Sequence, residues 1–271
     1  MRPPRQDIAA PPFPPETHWV GGESPRLERL TARGPLLVHF FDLAQLNSAR
    51  ALPYIAAWRV RYAHEGLAVL GVHTPRFPFT APVEAVAAAL PALGIEWPVA
   101  VDSRRAVWRD YGCRGWPTLF LWSRGGALRW YHMGEGDYQA TEAAIREALV
   151  ESGADADWPA PLEPFRPSDA PGAGVVPPTD EVFPSGSPGD PWTGGPIELR
   201  YGAGGAYLAA DGEGEVGVAL DGEKRSEVAI SGAGLYTLAE HRRHETHRIR
   251  LDPDAAVRIR SLQFAPAPPP D

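Results

Sequence analysis

YGCRGWPTLFLW, residues 111–122, passes from a glycine-broken loop through a proline into an unbroken apolar run. Pro117 cannot continue a helix, and PTLFLW (117–122) is rich in strand formers, so a buried strand begins here. Ser123-Arg124-Gly125-Gly126 separates it from ALRWYHM (127–133), which makes the pair a hairpin. Working outward, PLLVHFF (35–41), LAVLGVH (67–73) and PVAVD (98–102) read as three more buried strands. Between them, Leu52, Ile55, Ala56 and Val60 recur at helical spacing from Ser48 to about His64, with a kink expected at Pro53. PVEAVAAALPALG (82–94) is a second helix, opened by proline and ended by glycine. A short helical turn at 104–111 and a last helix at about 139–151 complete an α/β order, βαβαβ then ββα, that predicts a mixed sheet layered by helices.

The chain has 271 residues and a formal net charge of −8. Its 44% hydrophobic content supports a sizeable core, while 28 Gly and 31 Pro require long irregular stretches. Prolines and acidic residues concentrate between 152 and 194, which reads as an extended Pro/Gly-rich linker. Arginines are scattered through the first 151 residues, so no basic footprint for a nucleic acid is expected. No window has the length of a membrane span, and MRPPRQDIAAPPFPPETHW at the start has no apolar core of the signal type. A cytoplasmic protein outside the membrane is the expectation. The single Cys113 excludes an intramolecular disulfide, a multi-cysteine zinc site and a two-thiol redox cycle within one chain.

Beyond residue 195 the pattern changes. IELRY, GEVGVAL, GLYTL, HRIRL and AVRIRSLQF are β-rich segments separated by turn signals at Asp211-Gly212, Asp221-Gly222 and Asp252-Pro253, which predicts a small all-β sandwich or barrel. Alternation points Val216, Val218, Leu220, Ile249 and Leu251 inward, and Arg248 and Arg250 outward. The expected organisation is an N-terminal tail (1–16), an α/β domain (17–151), the linker (152–194), a β-sandwich (195–268) and a short tail (269–271).

The segment 111–122 is similar to the part of thioredoxins in which a loop reaches a cis-proline before an inner strand, and the resemblance makes Pro117 that proline. HFFDLAQLNSARALPYIAAW (39–58) resembles the strand-to-helix turn of the TlpA/redoxin branch of the thioredoxin superfamily, where that turn carries Cys-x-x-Cys. Here the four residues are Gln45, Leu46, Asn47 and Ser48. Residues 66–77, 95–112 and 131–138 keep the register of that family, so the resemblance spans about 17–151. The order of thioredoxin-like domain, Pro-rich connector and C-terminal β-domain further resembles the soluble part of DipZ-type thiol–disulfide interchange proteins, with VGVALDGEKR, GLYTLAEH and VRIRSLQFAP matching in shape.

What the resemblance implies for activity is altered by the missing thiols. In the family the first cysteine attacks a substrate disulfide as thiolate and the second resolves the mixed disulfide. Gln45 is no nucleophile, and the Ser48 hydroxyl is scarcely ionised and forms no disulfide, so the usual dithiol route is chemically excluded. The leading reading is a redox-degenerate, non-enzymatic module that binds a peptide or protein or acts as an adaptor. Trp116 would offer its backbone as a strand-like edge, with Leu43, Gln45 and Pro117 walling the groove. The alternative is a redoxin-class thiol–disulfide oxidoreductase or peroxidase working through Cys113 with an external thiol. Cys113 also reads as a small buried hydrophobe. Neither reading needs a cofactor.

Other constellations are weaker. His241, His244 and His247 invite a metal reading, but HETH is not the HExxH motif and a solvated turn is expected, with no metal. Asp211, Glu213, Glu215, Asp221 and Glu223 read as charged hairpin tips rather than a calcium loop. Glu135 and Asp137, in GEGDY (134–138), read as part of a turn before the last helix rather than as paired acid–base carboxylates. His39 and His73 read as hydrogen-bonded core histidines, with His39 placed near Asp42. The β-domain resembles carbohydrate-binding sandwiches, for which Tyr201, Tyr207, Tyr236 and Phe264 are the candidate aromatics, although Tyr201 and Phe264 alternate as core positions. Sugar binding is the secondary reading for that domain.

Overall fold

The computed structural model describes residues 1–2, 8–155 and 157–270. Residues 3–7 of the expected N-terminal tail, residue 156 of the linker and residue 271 of the C-terminal tail lie outside the described residues. The chain divides into two compact units. The first comprises Met1–Leu43, Asn47–Arg76 and Ala81–Pro164, and the second Ala44–Leu46, Phe77–Thr80 and Phe165–Asp271.

The first unit is built on β1 (His18–Val20), α1 (Leu27–Arg33), β2 (Leu36–Phe41), α2 (Leu46–Tyr62, its first residue counted with the second unit), β3 (Ala68–His73) and α3 (Val83–Ala89). It continues with β4 (Val99–Val101), α4 (Ala106–Asp110), β5 (Thr118–Trp122), β6 (Leu128–Met133) and α5 (Tyr138–Glu151). Its six-stranded sheet has the order β1-β4-β3-β2-β5-β6. β2, β3 and β4 are parallel, which the intervening helices require, while β5 and β6 run antiparallel through the predicted hairpin. The mixed α/β sheet follows the expected order, and β1 and α1 are additions that sequence periodicity did not single out. α2 runs on through Pro53 as one continuous helix. Among the described residues no helix is long and apolar enough to cross a membrane.

Both faces of β2 are buried, as its continuous apolar run demands. Leu36, Val38 and Phe40 join one cluster with Leu70, Val72, Trp108, Tyr111 and Phe120. The alternate set, Leu37, His39 and Phe41, is equally buried.

The second unit is all-antiparallel β: β7 (Ile197–Asp211), β8 (Glu213–Leu220), β9 (Glu223–Ser231), β10 (Gly234–Pro253) and β11 (Arg258–Ala265), in the order β11-β7-β10-β8-β9. It is consistent with the sandwich expected from sequence, yet the segmentation differs. GLYTL and HRIRL belong to one 20-residue strand, and β9 was not singled out. The inward positions of β7 change parity, from Ile197, Tyr201 and Ala203 to Ala206, Leu208 and Ala210, across Gly204-Gly205. That switch is what a bulge does to a strand with side-chain period two. Val216, Val218, Leu220, Ile249 and Leu251 point inward as predicted. The stretch read as linker takes part in this unit, with isolated bridges Val176↔Ala267, Val182↔Leu262 and Trp192↔Ile259.

His39 and His73 are fully buried, but neither ring has a hydrogen-bond partner among the described residues, which corrects the hydrogen-bonded reading. His39 stacks on Phe41 at 5.2 Å, and it is His73 whose ring approaches Asp42, at 3.8 Å. Burial lowers His39 to about 3. Burial also lowers His73, to about 4, against the opposing pull of Asp42. The unfolded chain therefore binds protons near pH 6.5 that the folded chain refuses, so stability is full above that value and falls as pH drops toward 4. Urea unfolding between pH 7.5 and 5 should lose roughly 1 kcal/mol per pH unit for each histidine, and His39→Phe should flatten that slope by about half.

Candidate functional site

At the end of β2 the chain turns through residues 42–45 into α2. Asp42 donates its backbone N–H to Ser48 Oγ at 3.2 Å, and its Oδ2 accepts from the Arg76 N–H at 2.7 Å. Ser48 is fully buried, so its hydroxyl serves the local backbone and is no accessible nucleophile. Asn47 begins the return to the first unit, whereas Gln45 sits half-buried in the second, between Ala44 and Leu46. Within that second unit Gln263 of β11 grips the peptide on either side of Gln45. Its Oε1 accepts from Leu46 N at 2.7 Å and its Nε2 donates to Ala44 O at 2.8 Å. Nothing in the local sequence of β11 marked Gln263, because a buried amide in a strand shows no pattern until its partners are placed.

The other half of the expected site hangs from Asp102 at the end of β4. Its Oδ2 accepts from the Trp108 N–H at 2.8 Å and from Thr74 Oγ1 at 3.2 Å, and its Oδ1 from the Val107 N–H at 3.2 Å. Burial pushes this carboxyl upward while those bonds hold it down, with a net rise. The Thr74 carbonyl accepts from the indole N–H of Trp116 at 2.9 Å, and Trp116 stacks on Trp108 at 4.3 Å. Trp116–Pro117 is cis.

Trp116 is half-buried, with the Arg105 guanidinium 5.5 Å from its ring. Leu43 and Pro117 are buried, so neither walls an open groove, and Gln45 is counted with the second unit. Of the three expected groove residues on the first unit, Trp116 is the one left partly exposed.

Cys113 is 8% exposed and belongs to the cluster of Phe40, Trp108, Tyr111 and Phe120. Its backbone N–H donates to the Trp108 carbonyl at 3.1 Å. Burial, and then the nearby Asp102 carboxylate, push the thiol far above its usual value, against the weaker pull of hydrogen bonds from Thr118 and from its own backbone. A reactive thiolate needs the reverse surroundings.

The remaining candidates separate. Glu135 pairs with Arg50 at 2.5 Å and Asp137 with His132 at 3.3 Å, so the two carboxylates serve different partners. Asp211 is held by Arg258 at 3.0 Å and Arg260 at 3.3 Å. Tyr201 and Phe264 stack in the core at 5.1 Å. Tyr207 bonds Glu240, and Tyr236 bonds the Gly232 carbonyl. HRRHETH is no turn: it lies inside β10, where His241, Glu245 and His247 converge.

No protein-family model matches this chain. Among curated proteins it is 33% identical over 194 residues to Protein DipZ of Mycobacterium bovis, covering 70% of this chain and 26% of that protein. It is 26% identical over 137 residues to the thiol-disulfide oxidoreductase YkuV of Bacillus subtilis, covering 51% of this chain and 91% of YkuV. Among solved structures, a thioredoxin-like protein in its oxidized form aligns with 53% of this chain and 95% of its own, at 25% identity and a TM-score of 0.48. The chain thus spans about a quarter of the length of the DipZ proteins. The sheet order of the first unit and the identity shared with DipZ and YkuV identify a thioredoxin-like fold and support a place in the thioredoxin superfamily.

Proposed function

We propose that this chain is a redox-degenerate thioredoxin-like protein that binds an extended peptide or protein segment through the first unit, beside Trp116. One observation carries the reading: residues 45–48, at the start of α2, have no thiol, and the chain's single cysteine is buried with its pKa raised. A thiolate is what disulfide exchange consumes, and neither place supplies one at neutral pH. Trp116 gives recognition a half-exposed aromatic held on two sides, by the Thr74 carbonyl and by Trp108. Aromatics fixed in this way bind with little loss of side-chain freedom. A cytoplasmic location belongs to the proposal, since one unpaired cysteine asks nothing of an oxidising compartment.

A second reading is favoured by the company the chain keeps, since YkuV is named a thiol-disulfide oxidoreductase. In it Cys113 attacks a substrate disulfide, releases one substrate thiolate, and is freed from the mixed disulfide by an external thiol. The geometry asks that the loop at 111–117 open first.

Ellman's reagent should modify Cys113 in the native chain on the order of a hundredfold more slowly than a free cysteine, and fully after denaturation. Wild type and Cys113→Ser should both fail to turn over insulin with limiting dithiothreitol, or a glutathione mixed disulfide with excess glutathione. Turnover that vanishes in Cys113→Ser would install the second reading. Recognition is read from a library of unstructured peptides passed over the immobilised full chain: retention should fall at least tenfold in Trp116→Ala, and equal retention by both proteins removes the proposal.

A further inference from the structure

Strand β10 pairs with β7 up to Glu240↔Gly205, with a one-residue shift between Thr237 and Ala239, and resumes at Glu245↔Ala203. Residues 241–244 are therefore passed against Gly204 alone, a bulge of unusual size. In a straight strand, positions 241 and 247 would stand about 20 Å apart. Here the rings of His241 and His247 stack at 4.6 Å. Glu245 joins them, and one ligating atom from each of the three residues lies within 4.8 Å of the others.

The hydrogen bonds around the rings leave the right nitrogens facing each other. His241 Nε2 is 2.8 Å from the Tyr201 hydroxyl, and His247 Nδ1 is 2.7 Å from Asp221 Oδ2. Asp221 is itself fixed, its Oδ1 accepting from the Arg248 N–H at 2.9 Å. The other two nitrogens converge on one oxygen: His247 Nε2 hydrogen-bonds Glu245 Oε2 at 3.1 Å and His241 Nδ1 lies 3.7 Å from it, so an ion that displaced the bridging proton would meet both nitrogens and the carboxylate. Donor atoms around a tetrahedral zinc-sized ion are about 3.3 Å apart. The two separations from Glu245 bracket that value.

We propose that His241, Glu245 and His247 bind one divalent ion of the zinc class, with Tyr201 and Asp221 orienting the two imidazoles. Two neutral nitrogens and one carboxylate suit a borderline ion better than calcium or magnesium, which take oxygen ligands. A ring whose second nitrogen is held by a carboxylate is the usual support for a metal-ligating histidine. His241 is nearly buried while Glu245 and Asp221 are half exposed, so an ion can enter from solvent and complete its shell with water. Bound there, it would tie the bulge of β10 to the β8–β9 turn that carries Asp221.

The test uses the full chain without a histidine tag, stripped with EDTA and titrated with CoCl2 and then ZnCl2 in a non-coordinating buffer. Expected are one equivalent of Co2+ with the intense visible bands of a four-coordinate ion, displacement by Zn2+, and a melting temperature that rises with metal concentration. His247→Ala should weaken binding at least tenfold, and Asp221→Asn about tenfold at unchanged stoichiometry. His244→Ala should bind as wild type. In the wild-type chain, whatever the variants do, Co2+ should broaden the ring signals of two of the eight histidines. No stoichiometric binding at 100 micromolar metal, binding within twofold of wild type in His247→Ala, equal loss in His244→Ala, or broadening of other histidines would each overturn the proposal.

Discussion

One carboxylate organises the functional end of the first unit. Asp102 leaves the sheet at the end of β4, and from there its two oxygens take the first amides of α4 and the hydroxyl of Thr74 just beyond β3. Hydrogen bonds to a charged acceptor are worth about 2 kcal/mol each, enough to hold a carboxylate that burial would rather protonate. α4 is only five residues long and lacks a side-chain cap from Arg105, so Asp102 supplies the capping it would otherwise miss. Trp108 is placed by this contact, and the Trp108 carbonyl then holds the Cys113 amide while its ring receives Trp116. Burial first, and then the same charge, lift the thiol of Cys113. The carboxylate that builds this corner therefore adds to the burial that keeps the cysteine protonated.

Sequence reading recovered the first unit well because its signals are local. Buried parallel strands show as apolar runs, PLLVHFF and LAVLGVH among them, and the proline and glycine at the ends of 82–94 frame a helix. β1 escaped because His18–Val20 has three residues and no period to detect. The second unit was legible in class and poorly legible in segmentation. GLYTL and HRIRL stand apart by composition, and only pairing with β7 reveals that polar residues between them belong to one strand.

The sites divided along the same line. That residues 45–48 lack thiols is plain from the letters, as is a lone cysteine near a proline. The burial of Leu43 and Pro117, and the separation of Gln45 from Trp116 into different units, are products of packing. The histidine cluster was missed for a more specific reason. Attention to a three-residue spacing grouped His244 with His241 and His247, whereas side chains on one face of a strand alternate, and Glu245 is the residue that shares their parity. Even that rule would have left the two rings far apart, since the bulge that unites them leaves no mark in the sequence.

The Pro-rich stretch before β7 has a consequence for how the second unit survives in a crowded solution. β11 is an outer strand, and its free side would offer a row of amides and carbonyls on which a neighbouring chain could template. Residues around Val176, Val182 and Trp192 meet that side at scattered single bridges. Proline carries no N–H, so a segment this rich in it cannot extend the ladder it touches. It occupies the margin without becoming a new strand with a margin of its own. On the opposite border β9 carries Glu223, Lys224, Arg225 and Glu227, all exposed, a charged fringe that resists stacking by other means. The sheet thus ends on both sides in surfaces that do not propagate, and what reads as loose connecting sequence is part of the protein's defence against fibrous aggregation.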